Sequence, residues 1–333
     1  MPAEPILAAV FLATLAATVA ATRAVLGWLR RRQILDHPNE RSSHRLPTPR
    51  GGGLAVTPVI LLAWTGLAAA GQGMPGQVPA MAAAAGLLVL SWRDDLGHLP
   101  AALRLCLHLA AGGLGLAGLD HQHLVFQGLL SWPVDRLVAL LAWVWFTNVY
   151  NFMDGIDGIT GVETAAIGLG LALLPGLAGA PQAVVVAAAG LGFLAWNWHP
   201  ARIFLGDAGS VPLGYLLGWL LLSAAADGHW AAALILPAYY LADATLTLAA
   251  RAWRRERVWQ AHRQHFYQRA VAGGASHARV AGLILAADLP LMVLALAAET
   301  DPWSALAAAV AVVAGLLAIL RAWAVKLPID PNG

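Results

Sequence analysis

Asn148–Gly158 reads NVYNFMDGIDG. It closes an apolar run, Asp135 to Tyr150, that is long enough to be most of a membrane helix. Asn148, Asn151 and Asp154 are spaced three apart, so on a helix they share one face. Gly155 and Gly158 then break that helix, with Asp157 between them. Amides and carboxylates grouped at the end of an apolar helix are costly to keep dry. Binding a cation and a charged ligand there offsets the cost. The plainer alternative is a helix terminus with Asp and Asn as caps and Gly as a stop. It suffices for one Asp-Gly pair, but not for N-x-x-N-x-x-D-G-x-D-G in a membrane chain.

The rest of the chain makes it a membrane chain. Of 333 residues, 59% are hydrophobic and 11% are charged, against roughly 25% charged in a soluble domain. Apolar runs recur at about twenty residues, the helical rather than the β-barrel pattern. The single cysteine, Cys106, excludes an internal disulfide and reads as packing. The first twenty-two residues carry no Lys or Arg, so Pro5 to Trp28 reads as a retained span rather than a secretory leader. The expected fold is all-α and polytopic, with about eleven transmembrane helices. The expected spans are 5–28, 51–70, 79–92, 101–119, 135–151, 159–177, 181–198, 211–226, 230–251, 277–297 and 303–324. With the N-terminus outside and the C-terminus cytoplasmic, Arg136 alone of 20 basic residues falls on the outer side. The whole chain is expected to be one membrane domain. No soluble basic face is present, so nucleic acid is not an expected partner.

In that arrangement the polar segments 29–50, 93–100, 151–158, 199–210 and 252–276 all fall on the cytoplasmic side. The first includes DHPNERSSHRLPTPRGGG, Asp36 to Gly53. Arg45 and Arg50 offer cationic donors around Thr48, and Gly51 to Gly53 let backbone N–H groups approach an anion. A positive-inside loop with a glycine-rich entry into the next span reads equally well. Adjacent Asp94 and Asp95 repel one another unless hydrated or bridged by a divalent cation. Asp207, in FLGDAGS, precedes a new span, either as a cap or near phosphate bound at a helix N-terminus. In WRRERVWQAHRQHFYQRA, Trp253 to Ala270, His262, His265 and Arg269 would face one way on a helix. They read as phosphate donors. A zinc pair or a basic helix lying on anionic lipid are the alternatives. Asp243 and Asp288 lie inside spans; either could line a substrate groove, and structural pairing with partners the sequence does not name is the favoured reading. On the outer side, His121 and His123 read as part of a wet loop.

PTPRGGG, the DD at 94–95, NVYNFMDGIDG, FLGDAGS and the HRQH loop, in this order, resemble the polyprenyl-phosphate N-acetylhexosamine-1-phosphate transferases, glycosyltransferase family 4. The resemblance runs from about Asp36 to Ala270. The HRQHFYQR form is more similar to the branch that starts O-antigen and other aminosugar polymers. The peptidoglycan branch carries three consecutive His in this loop, and Lys where His98 stands here. The resemblance implies transfer of a sugar-1-phosphate from a UDP-N-acetylhexosamine to undecaprenyl phosphate, with release of UMP. It implies magnesium, or manganese in its place, on Asp207 with Asn151 or Asp94. By the same pattern Asp94 and Asp95 handle the lipid phosphate, and Asp154 and Asp157 hold the nucleotide-sugar or metal. Phe204 stacks on uracil, Asn148 contacts substrate, and His262, His265, Arg269, Arg45 and Arg50 stabilise the diphosphate. The expected location is a bacterial inner membrane, with a homodimer left open. A CDP-alcohol phosphotransferase would need Ala-Arg after the first Asp-Gly, which is absent. A transporter would place its acids near the midplane rather than at one face.

Overall fold

The computed structural model describes residues 4–38, 46–97, 99–119, 124–177, 179–260 and 262–324. Arg45, His98, His121 and His123 lie outside them. The chain runs through α1 (Glu4–Arg31), the paired strands β1 (Leu35–Asp36) and β2 (Thr48–Pro49), and α2 (Gly53–Leu67), which runs into a π-turn at Ala68–Gln72. Then come α3 (Gln77–Gly97), α4 (Ala101–Ala117), α5 (Trp132–Phe152), α6 (Ile159–Ala172) and α7 (Ala180–Asn197). The last six are α8 (Asp207–Ala226), α9 (Trp230–Ile235), α10 (Ala238–Trp253), α11 (Phe266–Ala272), α12 (His277–Ala297) and α13 (Pro302–Ala324). Among the described residues, six helical stretches are long and apolar enough to cross a membrane: 5–31, 53–72 and α7, α8, α12 and α13.

Helix α8 is the axis of the bundle. Its apolar stretch is buried all round, as its sequence requires, since it is hydrophobic on every face. Helices α2, α3 and α5 pack against it, while α6, α7 and α1 form a second layer. The approach of α2 to α8 depends on glycine: a Cβ on Gly53 would lie 2.2 Å from the backbone nitrogen of Gly209. That contact brings the N-termini of the two helices together, and with them Arg50 and Asp207.

The segment expected as one span at 230–251 is two helices. Pro237 has no N–H to continue α9, so the chain breaks between Ile235 and Ala238. The buried Asp243 of α10 has found its partners, as expected. Its carboxylate accepts from the backbone N–H of Phe266 (3.0 Å) and Tyr267 (3.3 Å) and faces Nδ1 of His265 (3.2 Å). Asp288 differs from expectation. It is buried between helices, and neither carboxylate oxygen has a hydrogen-bond partner among the described residues. The same holds for Glu163, the acidic group it acts on electrostatically.

Candidate active site

Three acids and two arginines from four parts of the chain meet at one end of the bundle. Arg50 lies just past β2. Its Nη2 is 2.8 Å from Asp95 and 2.7 Å from Asp207. Arg104, in the first turn of α4, places Nη1 2.9 Å from Asp94 and 3.8 Å from Asp207. Burial works against the charge of Arg50, but Asp207 and Asp95 outweigh it and raise its pKa above the ordinary value. Asn151, at the end of α5, accepts from the Ser210 hydroxyl at 2.6 Å, one turn along α8 from Asp207. Asp154 accepts from the Thr160 hydroxyl at 2.6 Å. Burial pushes its carboxyl up to about 6, against the pull of Thr160 and Arg50 and helped by Asp207 and Asp95.

Several expected roles change on this geometry. Asp95 caps α8, accepting from the backbone N–H of Asp207 (3.0 Å) and Ala208 (2.9 Å). The anion at the α8 N-terminus is therefore a side chain of the protein, not a phosphate, and Asp95 is committed to holding Asp207 and Arg50. Gly206 is required there: its φ is +75°, and a Cβ would lie 2.7 Å from Asp95. The glycine run does not cradle an anion either. Gly51 and Gly52 donate to the carbonyl of Phe204 at 3.1 and 2.9 Å, and Gly53 donates to Leu205 at 3.0 Å. Phe204 thereby clips the 48–53 loop to the start of α8. Thr48 pairs with Asp36 across the short sheet and bonds back to Leu46.

Asp157 is separate from this cluster. Its carboxylate lies 2.7 Å from Nδ1 of His199 and 3.2 Å from Nδ1 of His277, and accepts from the Ala201 N–H at 3.1 Å. Those hydrogen bonds with the two histidines hold its pKa below the ordinary value despite burial. The three ligand atoms lie within 4.8 Å of one another. Two nitrogens and one oxygen suit zinc better than magnesium. The all-oxygen pair Asp94 and Asp207 fits magnesium, which takes one or two carboxylates and leaves other positions to phosphate and water.

The HRQH segment is not one helix. His262 lies in the loop, His265 caps α11 and Arg269 is exposed on it, so the three do not share a face. His265 is buried against Asp243 and stacks on Tyr267. Burial, then His265 and Arg251, lower the pKa of His262 to about 4. It is uncharged at neutral pH, and its Nδ1 accepts from the backbone N–H of Gln264 at 3.3 Å.

The cluster opens into a cavity of about 1410 Å³. Asp94, Arg104, Asn151, Asp207, His262 and His265 line its polar end. Leu87 and Leu90 of α3, Leu105 and Leu109 of α4, and Leu141 and Val144 of α5 make its wall apolar. Asn148 also lines it, with its amide nitrogen donating 2.7 Å to the Val144 carbonyl. Arg269, Phe204 and Asp157 do not line it. The sequence reading had no role for Arg104 or His108. The signal was present: two polar residues four apart inside the apolar run 101–119 share one helix face.

The sequence model of glycosyl transferase family 4 matches residues 78–225, which hold the DD pair, the N-x-x-N-x-x-D-G-x-D-G stretch and Asp207. The chain is 29% identical over 259 residues to a probable undecaprenyl-phosphate N-acetylglucosaminyl 1-phosphate transferase of Bacillus subtilis, covering 73% of this chain and 71% of that one. It is 32% identical to a phospho-N-acetylmuramoyl-pentapeptide-transferase of Deinococcus radiodurans, over 50% of this chain and 59% of the relative. It is also 32% identical to a decaprenyl-phosphate N-acetylglucosaminephosphotransferase of Mycolicibacterium smegmatis, over 58% of this chain and 54% of the relative.

Proposed function

We propose that this chain, similar over residues 78–225 to glycosyl transferase family 4 and also similar to polyprenyl-phosphate N-acetylglucosaminyl 1-phosphate transferases, moves an N-acetylhexosamine-1-phosphate from a UDP-sugar onto undecaprenyl phosphate. UMP leaves, and the product is a polyprenyl-diphosphate sugar that starts a cell-surface polysaccharide. The observation that carries the reading is the junction of the acid–arginine cluster with an apolar-walled cavity. An isoprenoid tail needs the wall and its phosphate needs the cations, so one cavity serves both ends of the same molecule.

Asp207 and Asp94 would hold a magnesium ion. When bound, that ion offsets the charge of two polyanions that otherwise repel. Arg104, between Asp94 and Asp207, faces the acceptor phosphate, and Arg50 keeps Asp207 in place. Asp154 and Asn151 bind on the nucleotide-sugar side, and neutral His262 donates to the diphosphate. An acceptor monoester with its second pKa near 6 is largely dianionic at pH 7. Its oxygen attacks the sugar-bearing phosphorus directly, and the bond to the UMP oxygen breaks. The cytoplasmic face of a bacterial inner membrane supplies both substrates. A single HRQH rather than three consecutive His favours a sugar without a pentapeptide. The test is to incubate purified protein with undecaprenyl phosphate, magnesium and UDP-GlcNAc or UDP-GalNAc, and to identify the lipid product by mass. A lipid heavier by one N-acetylhexosamine phosphate supports the reading. Its absence with every UDP-N-acetylhexosamine tried removes it.

A further inference from the structure

Asp157, His199 and His277 come from three separate parts of the chain and meet outside the cavity, whose lining includes none of them. Asp157 lies in the turn between α5 and α6, His199 lies between α7 and α8, and His277 is the first residue of α12. Both imidazoles turn Nδ1 to the same carboxylate. His199 meets one oxygen at 2.7 Å and His277 meets the other at 3.2 Å. The rings are tilted by 54° with centroids 5.1 Å apart, so neither lies flat on the other.

The contacts of His277 do not close as hydrogen bonds alone. The backbone N–H of Asp157 points at its Nδ1 from 3.3 Å, which requires a lone pair on that nitrogen. The Asp157 oxygen 3.2 Å away then faces a lone pair rather than a proton. Two acceptors that close repel unless a cation lies between them. A metal held by both turns the repulsion into two bonds, at the cost of one long hydrogen bond. Burial works against the charge of Asp157, but its hydrogen bonds with His277 and His199 outweigh it. The carboxyl is therefore ionised at neutral pH, as a metal ligand must be.

We propose that Asp157, His199 and His277 bind a zinc ion that pins together the Asp157 turn, the segment leading to Phe204 and Asp207, and the start of α12. Two imidazole nitrogens and a carboxylate, completed by water, are a zinc donor set, whereas magnesium takes oxygen. The three ligand atoms lie within 4.8 Å of one another. Ligands about 2.0–2.1 Å from a tetrahedral zinc stand about 3.3 Å apart, so shifts of about 1 Å seat all three on one ion. The His199 side chain is 39% exposed, which gives the ion a way in and water its place. None of these ligands belongs to the acid–arginine cluster, so this zinc is separate from the magnesium of the transfer reaction. Its role is structural: it fixes the segments that carry Asp154 and Asp207.

The test reads metal rather than turnover. Full-length protein in detergent, free of any histidine tag, is stripped with a chelator, reloaded with zinc alone and assayed for bound metal. About one zinc per chain is expected. X-ray absorption should show imidazole nitrogen and oxygen at about 2.0–2.1 Å. Zinc, but not magnesium, should raise the melting temperature of the stripped protein. His199→Ala and His277→Ala should each weaken zinc binding by at least about tenfold, and Asp207→Asn should keep its zinc. Zinc well below one per chain in folded wild type would overturn the proposal. So would full zinc retention by folded His199→Ala and His277→Ala proteins, or loss of zinc in folded Asp207→Asn. Should the histidine variants not fold, X-ray absorption of wild type decides: a shell without imidazole overturns the assignment. Zinc bound in the expected way supports it whether or not lipid product forms.

Discussion

Asp154 is placed under opposing demands. Burial favours its neutral form, pushing the carboxyl up to about 6, while substrate handling in the proposed reaction needs it ionised. A folded-state pKa above the ordinary 3.8 means that its favourable contribution to stability is complete below that value and is lost as pH rises through about 6. Asp154→Asn should therefore melt higher than wild type at pH 8 and show no gain near pH 4. The same variant should lose about a hundredfold or more in turnover, and wild-type turnover should fall as pH drops through about 6. A melting gain that persists at pH 4, or full turnover at pH 5, would contradict this role. At this scale the sequence was legible where chemistry depends on residue type. Asp94, Asn151 and Asp207 line one cavity, and Asp154 lies near enough to feel the charge of Asp207 and Asp95. Where a group has two uses, the sequence left both open. Gly51 to Gly53 read equally as an anion cradle or as a glycine-rich entry into a helix, and the structure ties them to Phe204 and Leu205. Asp95, which the resemblance places at the lipid phosphate, caps α8.

Among the elements, the join of α10 to α11 shows how a buried charge organises a loop. Asp243 sits in the interior of α10, yet it accepts from two backbone N–H groups at the start of α11 and faces His265 and Tyr239. Spacing along the sequence could not reveal this, because the donors lie 22 to 24 residues away and two of them are main-chain atoms. For the same reason the His262, His265, Arg269 periodicity suggested a helix that does not form: the chain turns at His265 to meet Asp243. Removing the carboxylate leaves those donors buried and unpaired. Asp243→Ala is expected to cost on the order of 3 kcal/mol, seen as a lower melting temperature, and to raise KM for the nucleotide-sugar as the loop loosens. A variant as stable as wild type with unchanged KM would show that the loop is held by other contacts. The break at Pro237 was legible in principle, since proline cannot continue a helix, but the apolar run across it hid the boundary.

Across the whole molecule, an all-α membrane bundle followed from composition, since little but helix satisfies backbone groups in a chain this apolar. The cavity did not follow from it. Its wall draws on α3, α4, α5, α8 and α10, and its polar end draws on the ends of four of those helices and on the loop before α11, from Asp94 to His265. Only the packing around α8, with Gly53 against Gly209, brings Arg50, Asp95 and Asp207 within ion-pair distance. The central claim is that this junction of charged cluster and apolar cavity joins a lipid phosphate to a nucleotide-sugar. The most direct measurement is UMP release from UDP-GlcNAc by purified protein, with and without undecaprenyl phosphate, for wild type and Asp207→Asn. The account predicts release that depends on the added lipid and falls by at least about a hundredfold in the variant. Release that is indifferent to the lipid, or undiminished in a folded Asp207→Asn protein, would contradict it.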